Sequence, residues 1–169
     1  QATACGEILL QGGAGSGSRF AYDTDAVPDA DGRQELVAQR GIHGSLVADN
    51  DGTFDFFTLD GVRYHFVPAD DSTWVLDRIV DPNGNALVLS YGSDAGGLRV
   101  ESVRDSAGRQ ITIEYETQAF VAWEGSVVTR VTGDGGHEVR FTYDRYGHLE
   151  TSDYGGAVSS GEASSGEAR

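Results

Sequence analysis

Apolar residues fall at every second position along three stretches of the second half of the chain. Leu87, Leu89 and Tyr91 share one parity, while Val88 and Ser90 take the other. Ile111, Ile113 and Tyr115 alternate with Thr112 and Glu114, and Val139, Phe141 and Tyr143 with Arg140 and Thr142. A period of two predicts a strand with one packed face and one wet face. The first two alternations follow turn residues, Asp81-Pro82-Asn83-Gly84 and Asp105 to Gly108. Asp accepts hydrogen bonds from the backbone ahead of it, Pro fixes φ, and Gly takes the positive φ that closes the reversal. Upstream of each turn the apolar residues are three apart, at Leu76/Ile79, Val100/Val103 and Val128/Val131, which predicts a bulge or a twist between faces.

Laid over one another, Ile79 to Tyr91, Val103 to Tyr115 and Val131 to Tyr143 are three copies of one unit. The third keeps Gly136, Val139 and Phe141 but places Gly133 where Asp is expected. The copies are offset by 24 and 28 residues, the extra four lying between Gln118 and Ser126. Fixed-period similarity of this kind marks a repeat architecture.

The segment Tyr143-Asp144-Arg145-Tyr146-Gly147-His148-Leu149 resembles the YD-x-x-G-x-L signature of the tyrosine–aspartate (YD) repeats of the rearrangement-hotspot (Rhs) family, with His148 where Arg or Asn is more usual. Asp60-Gly61-Val62-Arg63-Tyr64-His65-Phe66, leading on to Asp81-Pro82-Asn83-Gly84-Asn85, is similar to the run-in to such repeats, so the resemblance spans residues 51–155. It implies repeats that build spiralling β-sheet shells or tubes, a scaffold and not a catalyst. The expected fold is therefore all-β: stacked antiparallel hairpin repeats forming a twisted or spiralling sheet. Its repeat-defining positions are Asp81, Gly84, Leu87, Leu89 and Tyr91; Asp105, Gly108, Ile111, Ile113 and Tyr115; Gly136, Val139, Phe141 and Tyr143; and Asp144, Gly147 and Leu149. Longer members of that family carry an aspartate-dependent self-cleaving segment, which has no counterpart here.

The remaining organisation reads less regularly. Residues 1–18 form an arm with a short strand, Glu7 to Gln11, and a Gly/Ser-rich run. That run lacks the Gly-Lys-Ser/Thr of a phosphate loop and the last glycine of a dinucleotide fingerprint, so it reads as a linker. Residues 19–155 form the β-repeat domain, clearest over 74–149, with one or two strands expected between Arg19 and Asn50. Asp60-Gly61 between alternating segments is a hairpin signal. The connection through Phe120, Val121 and Trp123 predicts an extra strand or a packed loop. Residues 156–169 end in SSGEASSGEAR, which repeats the pentamer SSGEA and holds no apolar residue larger than Ala. Such a tail is expected to be disordered.

The formal net charge of −15 repels phosphate backbones and argues against nucleic acid as a partner. It serves solubility, or it gathers cations whose screening lets subunits assemble. Nothing approaches the roughly 20 apolar residues of a membrane-spanning helix. The chain starts at Gln1 without a methionine, which suggests processing and a secreted or cell-surface protein. Cys5 is the one cysteine, either an idle thiol or half of an intermolecular disulfide.

Candidate chemistry is sparse. His43, His65, His137 and His148 are scattered without metal-ligand spacing. Asp29-Ala30-Asp31-Gly32, Asp49-Asn50-Asp51-Gly52 and Asp81-Pro82-Asn83-Gly84-Asn85 look like calcium-loop openings but lack the later ligands of an EF-hand. No nucleophile elbow is present. No catalytic residue, cofactor or metal is expected. Function is expected to be structural: self-assembly through strand edges into a filament, tube or shell. The alternatives are a glycan- or protein-binding module with Trp74 and Trp123 as contacts, and a processed fragment of a larger toxin-encapsulating shell of the Rhs type.

Overall fold

The computed structural model describes residues 7–11, 17–23, 25–94 and 97–155. Cys5, most of the Gly/Ser run and the SSGEA tail lie outside the described residues. The strands are β1 (Glu7–Gln11), β2 (Gly17–Ala21), β3 (Gln34–Ala38), β4 (Ser45–Ala48), β5 (Phe54–Phe57), β6 (Arg63–Pro68), β7 (Trp74–Val80), β8 (Ala86–Asp94), β9 (Gly97–Asp105), β10 (Gln110–Ala119), β11 (Glu124–Gly133), β12 (Glu138–Tyr143) and β13 (Leu149–Gly155). The only helical piece among the described residues is a single turn, Asp134–Gly136. No helix there is long and apolar enough to cross a membrane.

The strands form one sheet whose spatial order is their order in the chain, β1 to β13. Neighbours pair antiparallel, as in Leu46↔Phe56 between β4 and β5 or Ile113↔Val131 between β10 and β11. This overturns the expected architecture. Each strand lies beside its sequence neighbours and β13 is not paired with β1, so the sheet is an open meander and not a closed tube or shell. A spiralling YD-repeat shell of the Rhs kind is not what this chain forms, and the repeat identity drawn from the resemblance falls with it. The physical reason lies in the unit itself. Strand, tight turn and alternating strand recur wherever a meander reuses one hairpin closure, so the Tyr-Asp-x-x-Gly-x-Leu spacing marks a local turn and not a winding.

The chain divides into two compact units, Gln1–Ser90 with Val103–Gly108, and Tyr91–Ser102 with Arg109–Arg169. The first holds the core. Ile8, Phe20, Leu36, Leu46 and Phe54, one from each of β1 to β5, are buried, and Leu10, Ile42, Phe56, Phe66 and Trp74 pack against them. The period-two rule places them together: Leu36, Leu46 and Phe56 line up through Leu36↔Leu46 and Leu46↔Phe56. Phe20 meets Phe56 edge-on with ring centroids 6.0 Å apart, and Phe54 meets Trp74 at 5.0 Å. The stretch from Arg19 to Asn50, which reads as one or two strands, thus supplies most of β2 and all of β3 and β4, and much of the core. In the second unit the apolar positions are half-buried or exposed, with Ile111 at 44% and Leu149 at 57%.

Bulges fall at two of the places where the triplet spacing predicts them. His65 pairs with Arg78 and Phe66 with Leu76, leaving Asp77 unpaired in β7 and returning Leu76 and Ile79 to one face. Thr129 does the same between Val128 and Arg130 in β11. A further bulge, at Glu150 between Leu149 and Thr151 in β13, has no such spacing to announce it.

Truncation should separate core from repeat positions. Phe20→Ala is expected to cost about 3–5 kcal/mol by creating a cavity. Leu87→Ala, at a repeat position 42% exposed, is expected to cost about 1 kcal/mol or less. Urea unfolding followed by circular dichroism checks both, and equal losses would contradict this placement of the core.

Candidate functional site

The turns that the sequence singles out are built alike. In Asp81–Asn85 the Asp81 N–H donates to the Asn85 carbonyl at 2.9 Å and the Gly84 N–H to the Asp81 carbonyl at 3.0 Å. Asp144–His148 repeats this at 2.9 and 3.0 Å, as do Asp29–Arg33, Asp49–Thr53 and Thr58–Val62 within 3.1 Å. A three-residue loop of this type needs a left-handed residue in its fourth place, and Gly32, Gly52, Gly61, Gly84 and Gly147 supply it at φ 80° to 89°. Gly108 holds the same place after Asp105, bonding its carbonyl at 3.0 Å with φ 87°. The copy with Gly133 in place of Asp keeps the outer bond, Gly133 N–H to His137 O at 2.8 Å, but both Gly135 and Gly136 take positive φ.

The carboxylates of Asp29, Asp81, Asp105 and Asp144 also accept from backbone N–H groups ahead of them. Asp81 Oδ1 takes the N–H groups of Asn83 and Asn85 at 2.8 and 2.9 Å, while its Oδ2 takes the Asn85 amide at 2.7 Å. Asp144 Oδ1 takes those of Tyr146 and His148 at 2.8 and 3.0 Å. These bonds stabilise the charged form and hold the carboxyls below the usual range. For Asp81 the Asn85 side chain is the largest cause, and for Asp144 the His148 N–H. Asp51 and Asp70 are lowered likewise, chiefly by the Thr53 hydroxyl and the Ser72 N–H.

The repeated tyrosines are latches between neighbouring strands. Tyr143 donates its hydroxyl to the Val128 carbonyl at 2.7 Å and Tyr115 to the Val100 carbonyl at 2.9 Å, each fifteen residues back. Val128 is the residue just before the bulged Thr129, whose displaced backbone offers its neighbour's carbonyl. Arg99 stacks its guanidinium 4.9 Å from the centre of the Tyr115 ring. Tyr91, Leu87 and Leu89 lie on β8, Ile111 and Ile113 on β10, and Val139 and Phe141 on β12.

Both tryptophans have committed indole nitrogens. Trp74 donates to the Gly52 carbonyl at 2.7 Å and packs into the first unit's core. Trp123, 45% exposed, donates to the Tyr146 carbonyl at 3.2 Å and stacks on Phe120 at 4.6 Å. The connection at 120–123 is a packed loop, and the Val121 N–H ties it to the Arg145 carbonyl at 2.9 Å. The result is an aromatic cluster of Phe120, Trp123 and Tyr143.

One charged group escapes sequence reasoning. Asp55, 3% exposed, accepts from His65 Nδ1 at 2.9 Å and Arg33 Nη2 at 3.2 Å, with Arg63 Nη1 at 3.7 Å. Arg33 Nε lies 2.8 Å from Asp49 Oδ1. Opposite parity of His65 to Tyr64 and Phe66 was its one sequence signal; the cross-strand pairing Asp55↔His65 completes it. A carboxylate this buried persists because it is paired, and the pairing leaves it serving the fold. Among the described residues no three of His, Cys, Asp and Glu converge as a metal cage.

The geometry least explained by internal packing is the last strand. β13 pairs with β12 through Phe141↔Ser152 and Val139↔Tyr154, all but its last residue are exposed, and it is a terminal strand of the sheet. Leu149 and Tyr154 are 57% and 69% exposed. The Tyr154 hydroxyl meets His137 Nδ1 at 3.0 Å.

Two outcomes check the turns. Gly84→Ala meets open space and should cost about 1–2 kcal/mol for its left-handed backbone alone. Gly147→Ala should cost more, since its Cβ would lie 2.5 Å from the Trp123 ring; equal losses on chemical denaturation would contradict that contact. The lowered carboxylates stabilise the fold above their unfolded pKa, and this contribution is lost as pH falls through the folded values. The melting temperature should therefore hold from neutral pH to about 5 and drop below about 4, with Asp81→Asn flattening part of the drop.

No protein-family model matches this chain, and no curated protein matches it.

Proposed function

We propose that this protein is a non-enzymatic structural β module that associates with copies of itself through the edge of its sheet. The observation that carries this reading is β13: seven residues long, almost wholly exposed, paired with β12 and terminal in the strand order. Such a strand presents a row of backbone donors and acceptors that another strand satisfies. The two large apolar side chains at its ends, Leu149 and Tyr154, are surface that association would cover. Elsewhere, the Asp81 and Asp144 carboxylates are held by backbone N–H groups and Asp55 by Arg33 and His65.

Charge sets the condition for assembly. Two copies at −15 repel until ions screen them, and the screening length falls from about 30 Å at 0.01 M to about 8 Å at 0.15 M. The guard charges on the strand, Glu150 and Asp153, and the bulge at Glu150 limit uncontrolled growth.

Light scattering across a concentration series tests the reading. Mass should rise above 17.9 kDa with concentration and with salt. Ser152→Lys, which sets a cation in mid-strand, should return it to the monomer value. A 17.9 kDa species at every concentration and ionic strength would contradict self-association.

A further inference from the structure

Resting on that reading, we infer that two copies join as a two-fold dimer, β13 against β13, antiparallel and centred on Ser152. An antiparallel join repeats the ladder found along the sheet and keeps like faces together, because the two-fold axis runs perpendicular to the sheet. Centring on Ser152 sets Leu149 opposite Gly155 of the second copy, Glu150 opposite Tyr154 and Thr151 opposite Asp153. It is the one register that uses all seven residues of the strand.

Charge and apolar surface favour the same register. Centring the join on Asp153 instead sets the two Asp153 carboxylates directly opposite each other, and like charges so placed repel. With Ser152 at the centre, no carboxylate faces another across the join. Leu149 is paired with Tyr143, and Tyr154 with Val139, so both lie on the face that carries Phe141. The join brings Tyr154 next to Leu149 of the second copy on that face. These are the two exposed apolar side chains of the strand, at 69% and 57%. The dimer covers each with the other, and a two-fold closes on itself instead of growing into a fibre.

Disulfide trapping reads the register. In a Cys5→Ser background, Ser152→Cys sets two sulfurs on residues that face each other, with Cα atoms about 4.5–5.5 Å apart, inside the range a disulfide spans. Mild oxidation should convert most of the protein to a covalent dimer. Glu150→Cys, offset from its own copy by four residues or about 13 Å along the strand, should give little. Thr151→Cys mixed with Asp153→Cys should link across the mixture and provides a second reading should Ser152→Cys fold poorly. A mass that rises with concentration while these pairs stay unlinked would overturn the two-fold join and leave self-association standing. A monomer at all concentrations would overturn both.

Discussion

A strand that turns back beside itself must reverse direction within a few residues without stranding backbone N–H groups from water and partners alike. Several turns of this chain meet that constraint by one device. An aspartate holds the N–H groups ahead of it, a glycine takes the left-handed place, and the ladder resumes one residue later, as at Asp81–Asn85 and Asp144–His148. The spacing of the strands and the recurrence of the sequence unit both follow from reusing it. Where Asp is replaced by Gly133, two consecutive left-handed glycines do the same work. The bulges complement the turns, setting apolar residues three apart onto one face and aiming a carbonyl at the tyrosine of the next strand.

Energy is distributed unevenly over this regular frame. The first unit concentrates its buried side chains in five short strands, with Phe20 and Leu46 almost wholly covered. The second relies on longer ladders, tyrosine latches and ion pairs such as Arg130 with Glu114 and Glu138. Half-exposed ion pairs of that kind contribute little singly, so the second unit depends on its backbone pairing. A strand at the margin of such a region has most to gain from a further partner.

The turns at Asp81 and Asp105 and the bulges in β7 and β11 were legible because each is written within about fifteen adjacent residues. The core was not. Phe20, Leu36 and Leu46 sit in strands of four or five residues among charges, and what buries them lies far along the chain. Asp55 and His65 are ten residues apart and meet only once their strands pair. The global course of the sheet was beyond local pattern altogether. One hairpin unit builds an open meander or a wound shell according to small rotations between strands, which no turn residue encodes. That is why the turns could be read locally while the spiral expected from them does not form.

The account turns on β13 being an edge that a second copy completes, and amide hydrogen exchange of that strand measures this directly. In dilute protein every second amide of Leu149–Gly155 should exchange fast while those bonded to β12 stay slow. At high concentration and salt the fast set should slow. A strand uniformly protected when dilute, or one whose pattern ignores concentration, would contradict it.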